Sequence, residues 1–524
     1  MGKIRIKLDN KTIEVEEGIA VIDAARAEGI DIPSMCYREG KEHLTSCMVC
    51  LVKDAKNGKL FPSCSIEVTE GMEIISLDDE VQEARKTALD LLLSEHVGDC
   101  EAPCQITCPA HMDIPLMNRL LGEGKFNEAL KVIKKDIALP AVFGRVCPAP
   151  CEGACKRKTI DEPVSICLLK RSAGDADVFG EEAYLPEKKK DQNKNISIIG
   201  AGPAGLAAAY FLQIKGYNCV VYDRNELAGG SLKTEVESGI LPAEVLSMEL
   251  DVIKKLGAKF KMNTEVDASF FEQLKSNSDA VIIASGQGES GTQNWGLEMG
   301  KSGILADNDS YQIKESHIFV VGSALKPTKL AIRTLGQGKE VSFSVDQYLK
   351  GEKVKGEFFR FNSRFGKLFP EEFSEYLKES HEGKRAEPDN IKTGLSREQV
   401  IEEAKRCLHC DCREIDNCTL RNLSEEYKAQ QRRFYSPERK KIVKHFQNDA
   451  VIYEPAKCIK CGICVQITEE YSEDYGFTFI GRGFDVEIGV PFNKSVKVGL
   501  EKVAIQAAEA CPTGALTIKE RDNL

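Results

Sequence analysis

Nineteen of the twenty cysteines in this 524-residue chain fall in tight groups. Thiolates at such spacing are metal ligands before they are anything else. The first group is Cys36, Cys47, Cys50 and Cys64, loop cysteines of the kind that hold a [2Fe–2S] centre. His96, Cys100, Cys104 and Cys108 follow at intervals of four, and Cys147, Cys151 and Cys155 repeat that interval before Cys167. Cys407, Cys410, Cys412 and Cys418 lie within twelve residues, enough for four thiolates to close around one centre. The last run, Cys458, Cys461 and Cys464 with a distant Cys511-Pro512, has the bacterial-ferredoxin pattern of a [4Fe–4S] site. Tetrahedral zinc remains the alternative, above all for the Cys407 group. Cys219 alone stands apart, in the strand NCVVYD, where a buried free thiol accounts for it.

The second chemical motif is Gly200-Ala201-Gly202-Pro203-Ala204-Gly205, placed between an apolar strand and a helix. The first glycine permits the tight turn, the second lets backbone approach a pyrophosphate, and the third lets helix pack on strand. The helix N-terminus then offers N–H groups and positive dipole to the anion. Asp223, followed by Arg224, ends the next strand and is placed to accept from ribose hydroxyls. Gly286-Gln287-Gly288-Glu289-Ser290-Gly291 matches the same letters, but no helix is expected after it, and it reads as a chance match.

Twenty cysteines without a secretory signal cannot be a disulfide framework, because the cytosol keeps thiols reduced. The start, MGKIRIKLDNKTIEVEEG, has no apolar core of a signal peptide, and no apolar run approaches the ~20 residues of a membrane span. A cytoplasmic chain is expected. The net charge of −11 argues against a nucleic-acid partner. The basic stretch QQRRFYSPERKKIVKH is read as a solvated helix face, with docking of an acidic ferredoxin as the alternative.

Around these motifs the pattern predicts a multidomain α+β and α/β chain. Residues 1–78 form a hairpin turning at Asp9-Asn10, a helix from about Ile19 to Glu28, the cysteine loop and short strands. Residues 79–180 are helical and Cys-rich, and a charged linker (EKKKDQNKN) precedes alternating strand and helix over 194–350. An exposed connector spans 351–395, a Cys-rich helical segment 396–435, and a ferredoxin-like domain 436–524.

Several stretches resemble known families. IPSMCY and SCMVC are similar to the N-terminal cluster domain of the iron–sulfur-rich subunit of respiratory complex I and of iron hydrogenases. That implies a β-grasp ferredoxin-like fold with one [2Fe–2S] centre. LLLSEHVGDC resembles the same complex I subunit, where a His and three Cys bind a [4Fe–4S] centre. From CEAPCQITCPAHMDIP to GRVCPAPCEGAC the resemblance is to the helical bis-[4Fe–4S] domain of the glutamate synthase small subunit and dihydropyrimidine dehydrogenase. It implies one centre on His96, Cys100, Cys104 and Cys155, and another on Cys108, Cys147, Cys151 and a residue of VSICLLKRS. The family's Gln or Glu is replaced there by Lys170, and an ammonium donates only, so Cys167, one helical turn earlier, takes the place. With the Cys407 and Cys458 groups as one centre each, twenty ligands make one [2Fe–2S] and four [4Fe–4S] centres.

GAGPAGLAAA, VVYD, Gly229-Gly230 and LPAEVLSMELDVIKKLGAKFKMNTEV look like the flavin domain of the glutamate synthase small subunit. This implies a Rossmann-like FAD domain whose contacts include Gly229, Gly230, Val266, Gly286 and Gly322, with Ser323 where the family has Asp. The family's inserted NAD(P)H domain is missing: 30 residues separate Gly286 from His317, too few for even one βαβ unit. The piecewise domain order resembles the relay subunit of cytoplasmic, NAD-linked, electron-bifurcating hydrogenases, formate dehydrogenases and aldehyde oxidoreductases. That resemblance implies an NADH-binding flavoprotein and a small [2Fe–2S] subunit, both like complex I subunits, and a catalytic dehydrogenase or hydrogenase subunit as partners. The alternative is a free-standing flavin and iron–sulfur reductase of the glutamate synthase type, for which the sequence offers no acid–base residues near the flavin.

Overall fold

The computed structural model describes residues 2–287, 295–434 and 438–519. They divide into two compact units: residues 2–101, 360–378 and 411–519 form the first, and residues 102–359 and 379–410 the second. The chain passes between units inside the Cys407 group, after Cys410.

The first unit opens with β1 (Lys3–Leu8) and β2 (Lys11–Glu16), whose alternating buried and exposed residues follow the period of two that a one-sided sheet requires. Asp9, at φ 53°, makes the left-handed turn between them. Helix α1 (Val21–Ala27) covers the sheet, and β3 (Leu51–Asp54), β4 (Leu60–Pro62) and β5 (Glu73–Ile75) complete it in the order β2-β1-β5-β3-β4. Helix α2 (Asp79–Glu95) starts where the Asp78 carboxylate accepts the Val81 N–H at 2.9 Å.

The helical text of the second unit breaks into short helices: α3 (Pro103–Thr107), α4 (Ile114–Gly122), α5 (Phe126–Lys134), α6 (Pro140–Val146), α7 (Pro150–Gly153) and α8 (Ile166–Val178). Four of them, α3, α4, α6 and α7, carry a proline in the first turn, where a missing N–H costs nothing. Helices α6 and α8 cross at glycines: a Cβ on Gly144 would lie 2.5 Å from Arg171 Cα, and one on Gly174 2.5 Å from Ala141 N. This close approach brings Cys147, which caps α6, towards Cys167 in the first turn of α8.

Next comes a five-stranded parallel sheet, β10-β9-β6-β7-β8, from β6 (Asn195–Ile199), β7 (Asn218–Tyr222), β8 (Lys259–Lys261), β9 (Ala280–Ile283) and β10 (Ile318–Val320). It is the one sheet of this unit among the described residues. The central strand feeds α9 (Pro203–Ile214); α10 (Leu232–Glu237), α11 (Ala243–Lys255), α12 (Ala268–Asn277) and α13 (Ala331–Leu349) follow. Helix α13 lies against α9 through Gly338, whose Cβ would come within 2.2 Å of Ala204 O. Gly336 meets Pro109 O just as closely, at 2.3 Å, so the sheet domain and the Cys108 loop share one core.

The remainder of the first unit pairs β11 (Val451–Tyr453) with β14 (Leu516–Ile518) and β12 (Thr478–Ile480) with β13 (Glu487–Gly489). The basic stretch before it corrects the expected helix face: among its described residues, 430–434 and 438–445, no helix forms. Pro437 disfavours helix in the residue before it. Two of its charges are paired within the unit, Arg439 on Glu372 at 2.6 Å and Arg433 on Glu83 and Asp90 at 3.0 and 3.2 Å.

Candidate functional site

In the first unit Cys36 and Cys47 sulfurs lie 3.4 Å apart, and Cys50 and Cys64 sulfurs 3.3 Å apart. Cys64 also reaches Cys36 by a side-chain contact, which joins the two pairs. Hydrogen bonds from Cys47 and Cys64 hold the Cys36 pKa far below the usual thiol range. Two pairs of buried sulfurs suit two irons with two protein ligands each.

Cys458, Cys461, Cys464 and Cys511 line one small cavity, as the ferredoxin pattern predicts. Burial raises the first three thiols, Cys458 to about 11. Such a set is poor at holding thiolates unaided and good at exchanging protons for a cationic centre. The Lys460 N–H donates to Cys458 Sγ at 3.3 Å.

The Cys407 group does not converge on one point. Cys407 and Cys410 line a cavity of the second unit with Cys104 and Cys155. Cys412 and Cys418 belong to the first unit, where they sit with Cys100: the Cys412 N–H donates to Cys100 O at 3.0 Å, and the charges of Cys412 and Cys100 both raise Cys418. Burial is the larger cause there, taking Cys418 to about 12 and Cys100 to about 11. A Cβ on Gly514 would fall 2.3 Å from Cys412 Sγ, so only glycine leaves that sulfur its place. The Ser363 and Arg421 N–H groups donate to Cys100 and Cys418 sulfurs, each at 3.4 Å. The local four-thiolate knuckle on which the zinc alternative rested is therefore absent among the described residues.

His96 is buried and its pKa falls to about 4, because burial and then the nearby Lys457 ammonium disfavour the imidazolium. Its Nδ1 lies 3.0 Å from Lys457 O, which fixes the proton there and leaves Nε2 with a lone pair, the state a metal ligand needs. Lys457 also stands beside Cys412, and its ammonium is paired with Glu454 at 2.9 Å.

Cys108, Cys147, Cys151 and Cys167 surround a different lysine. Lys170 is 3% exposed, and its one hydrogen-bond acceptor among the described residues is Cys167 Sγ, at 3.9 Å. Burial presses the Lys170 pKa down, but the negative potential of Cys167, Cys147, Cys108 and Cys151 outweighs it and the net shift is upward.

The glycine fingerprint opens onto a cavity of about 410 Å³. Gly200, Gly202, Pro203, Ala204, Asp223, Arg224, Gly230, Val266, Gly286, Gly322 and Ser323 line it. Gly205 and Gly229 shape it from behind: a Cβ on Gly205 would strike Gly200 O at 1.9 Å, and the Gly229 N–H donates to Ala201 O. Asp223 accepts from Ala201 N at 2.7 Å, so one carboxylate oxygen braces the fingerprint turn rather than waiting for a sugar. Ser285, which the sequence reading missed, also lines the cavity, and its buried Oγ has no partner among the described residues, as a site shaped for a polar ligand would leave it. Trp295 and Thr334 line it as well. Trp295, the single tryptophan, stacks on Phe271 and donates to Val266 O; its uniqueness was the one signal available. The second glycine match runs into residues 288–294, outside the described residues.

Four family models match the chain: a 2Fe-2S iron-sulfur cluster binding domain over 2–78, and dihydropyrimidine dehydrogenase domain II, a 4Fe-4S domain, over 79–181. An NAD(P)-binding Rossmann-like domain matches 198–253, and the ferredoxin-like domain of NADH-quinone oxidoreductase subunit 3 matches 449–517. The chain is assembled from the iron–sulfur and nucleotide-binding domains of oxidoreductase subunits. It is 39% identical over 188 residues to the NADPH-Fe(3+) oxidoreductase subunit beta of Geobacter sulfurreducens, covering 35% of this chain and 28% of that one. It is 37% identical over 207 residues to the NADP(+)-dependent formate dehydrogenase subunit beta of Moorella thermoacetica, covering 35% and 29%. The glutamate synthase [NADPH] small chain of Bacillus subtilis is 34% identical over 201 residues, covering 36% and 40%. The chain thus spans less than a third of the length of the first two relatives. No helix among the described residues is long and apolar enough to cross a membrane.

Proposed function

We propose that this chain is the electron-relay subunit of a multisubunit cytoplasmic oxidoreductase, of the electron-bifurcating NAD- and ferredoxin-linked kind that includes hydrogenases, formate dehydrogenases and aldehyde oxidoreductases. Cys36, Cys47, Cys50 and Cys64 would hold a [2Fe–2S] centre. Four [4Fe–4S] centres would sit on Cys458/Cys461/Cys464/Cys511, His96/Cys100/Cys412/Cys418, Cys104/Cys155/Cys407/Cys410 and Cys108/Cys147/Cys151/Cys167. The residues lining the fingerprint cavity would hold FAD. Iron–sulfur centres pass single electrons and a flavin passes one or two, so together they join the two kinds of chemistry.

The observation that carries this reading is the packing of Gly336 on Pro109. Pro109 follows Cys108, and Gly336 lies two residues from Thr334, which lines the nucleotide cavity. The residues between flavin and first cluster are thereby held in one rigid core. Within the first unit, Cys418 feels Cys511, and Cys461 feels Cys36, so three ligand sets follow one another there. In sequence the two runs adjoin at Cys100 and Cys104. Among the described residues one parallel sheet carries a nucleotide cavity, and NADH and the terminal substrate would be handled by partner subunits: an NADH-binding flavoprotein, a small [2Fe–2S] subunit and a catalytic dehydrogenase or hydrogenase.

The test is anaerobic purification with and without co-purifying partners. About 18 irons and one FAD per chain are expected, with NADH:viologen activity only when the flavoprotein partner is present. NADH-driven activity of the isolated chain would overturn the relay reading in favour of a free-standing reductase.

A further inference from the structure

Lysine is an uncommon neighbour for four clustered thiols, three of them buried, and Lys170 is placed as few buried lysines are. An ammonium out of water is held by a carboxylate or by several oxygen acceptors, because desolvation without an anion is prohibitive. Lys457 obeys that rule through Glu454. Lys170 has neither: it is 3% exposed, its one acceptor among the described residues is the Cys167 sulfur, and the charges that face it from α6, α7 and the Cys108 loop are thiols. The anion that compensates it has to be the group those thiols bind.

We propose that Lys170 is the buried counter-charge of the iron–sulfur centre held by Cys108, Cys147, Cys151 and Cys167, and that it raises the reduction potential of that centre above what the four thiolates alone would set. This rests on the reading of those four residues as cluster ligands. When the centre takes up one electron, its net charge becomes more negative by one unit and no proton need move. A fixed cation at the ring of sulfurs favours that reduced state, and burial keeps water and salt from screening it. Among the ligand sets, this one adjoins the nucleotide cavity through Pro109 and Gly336. With FAD held in that cavity, the lysine would act on the transfer of single electrons between the flavin and this centre. It is a positioning charge and not a ligand, since an ammonium has no lone pair to give.

The experiment is a mediated redox titration of the full-length chain, purified anaerobically and reduced with dithionite, followed by EPR, with iron counted in parallel. Lys170→Met should keep its iron and lower one midpoint potential, by at least a tenfold change in the one-electron equilibrium, about 59 mV. Lys170→Arg, which keeps the charge, should stay close to the wild type. If the Met variant loses about four irons, the Arg variant decides: a retained centre at wild-type potential supports the charge, and loss in both makes the amine a ligand and overturns the proposal. An unchanged potential in Lys170→Met overturns it too. Failure of the underlying ligand reading shows separately, as a Cys151→Ala chain with unaltered iron and spectrum.

Discussion

Lys170 and Lys457 are both buried lysines beside thiols, one in each unit, yet their surroundings differ in kind. Lys457 is locked to Glu454 at 2.9 Å, so the pair presents little net charge to the nearby Cys412. Lys170 presents its full charge to four sulfurs. The second unit buries another titratable group: Glu249 reaches into the N-terminus of α6, accepting from Ala141 and Val142 N–H groups at 2.9 Å, with no ion pair among the described residues. The contrast shows that the same residue type can be structural filling in one site and an electrostatic lever in another, depending on one carboxylate.

That comparison presupposes that Cys412, beside Lys457, belongs to a different centre from Cys407, and the largest effect tests this. Cys407→Ala and Cys412→Ala should each lose about four irons, but different EPR signals, and the double variant about eight. A single centre on Cys407, Cys410, Cys412 and Cys418 would give one shared loss, and iron analysis of the three variants separates the cases.

Next in size is the pH dependence that Glu249 imposes. Burial, opposed by its two backbone N–H bonds, pushes its carboxyl up to about 8. An acid raised in the folded state adds stability that is complete below its unfolded pKa of ~4.3 and fades as pH rises through the folded value. Urea unfolding should therefore show wild type losing on the order of 3–5 kcal/mol between pH 5 and 9, and Glu249→Gln should abolish most of that slope.

Two smaller effects sharpen the lysine contrast directly. Glu454→Gln would leave Lys457 uncompensated, as Lys170 is, and should raise the potential of the adjoining centre in a redox titration. Lys457→Met removes a charge already cancelled and should shift that potential by less than the roughly 59 mV that marks a tenfold change. A shift in Lys457→Met as large as in Lys170→Met would show that the carboxylate does not screen its partner.

Much of the chain was legible beforehand. The alternation of Ile4, Ile6 and Leu8 gave the first strand its buried face, Ser396 marked the start of the helix Arg397–Lys405, and the glycine fingerprint gave the nucleotide turn. The Cys36 group forms two close sulfur pairs, and Cys458, Cys461, Cys464 and Cys511 line one cavity. Other features were hidden. Among the described residues of the basic stretch no helix forms, although its run of charges suggested a helix face.

Sequence by itself determined which residues could ligate metal and where a nucleotide could be cradled, because most of those signals lie a few residues apart, within one loop or one helical turn. Only the tertiary structure decided that Cys407 and Cys410 join Cys104 and Cys155, that Cys412 and Cys418 join Cys100, and that Lys170 lacks the carboxylate Lys457 has. Partners some three hundred residues apart leave no periodicity to read. Whether a buried charge is cancelled depends on which side chains the folded core brings within a few ångströms.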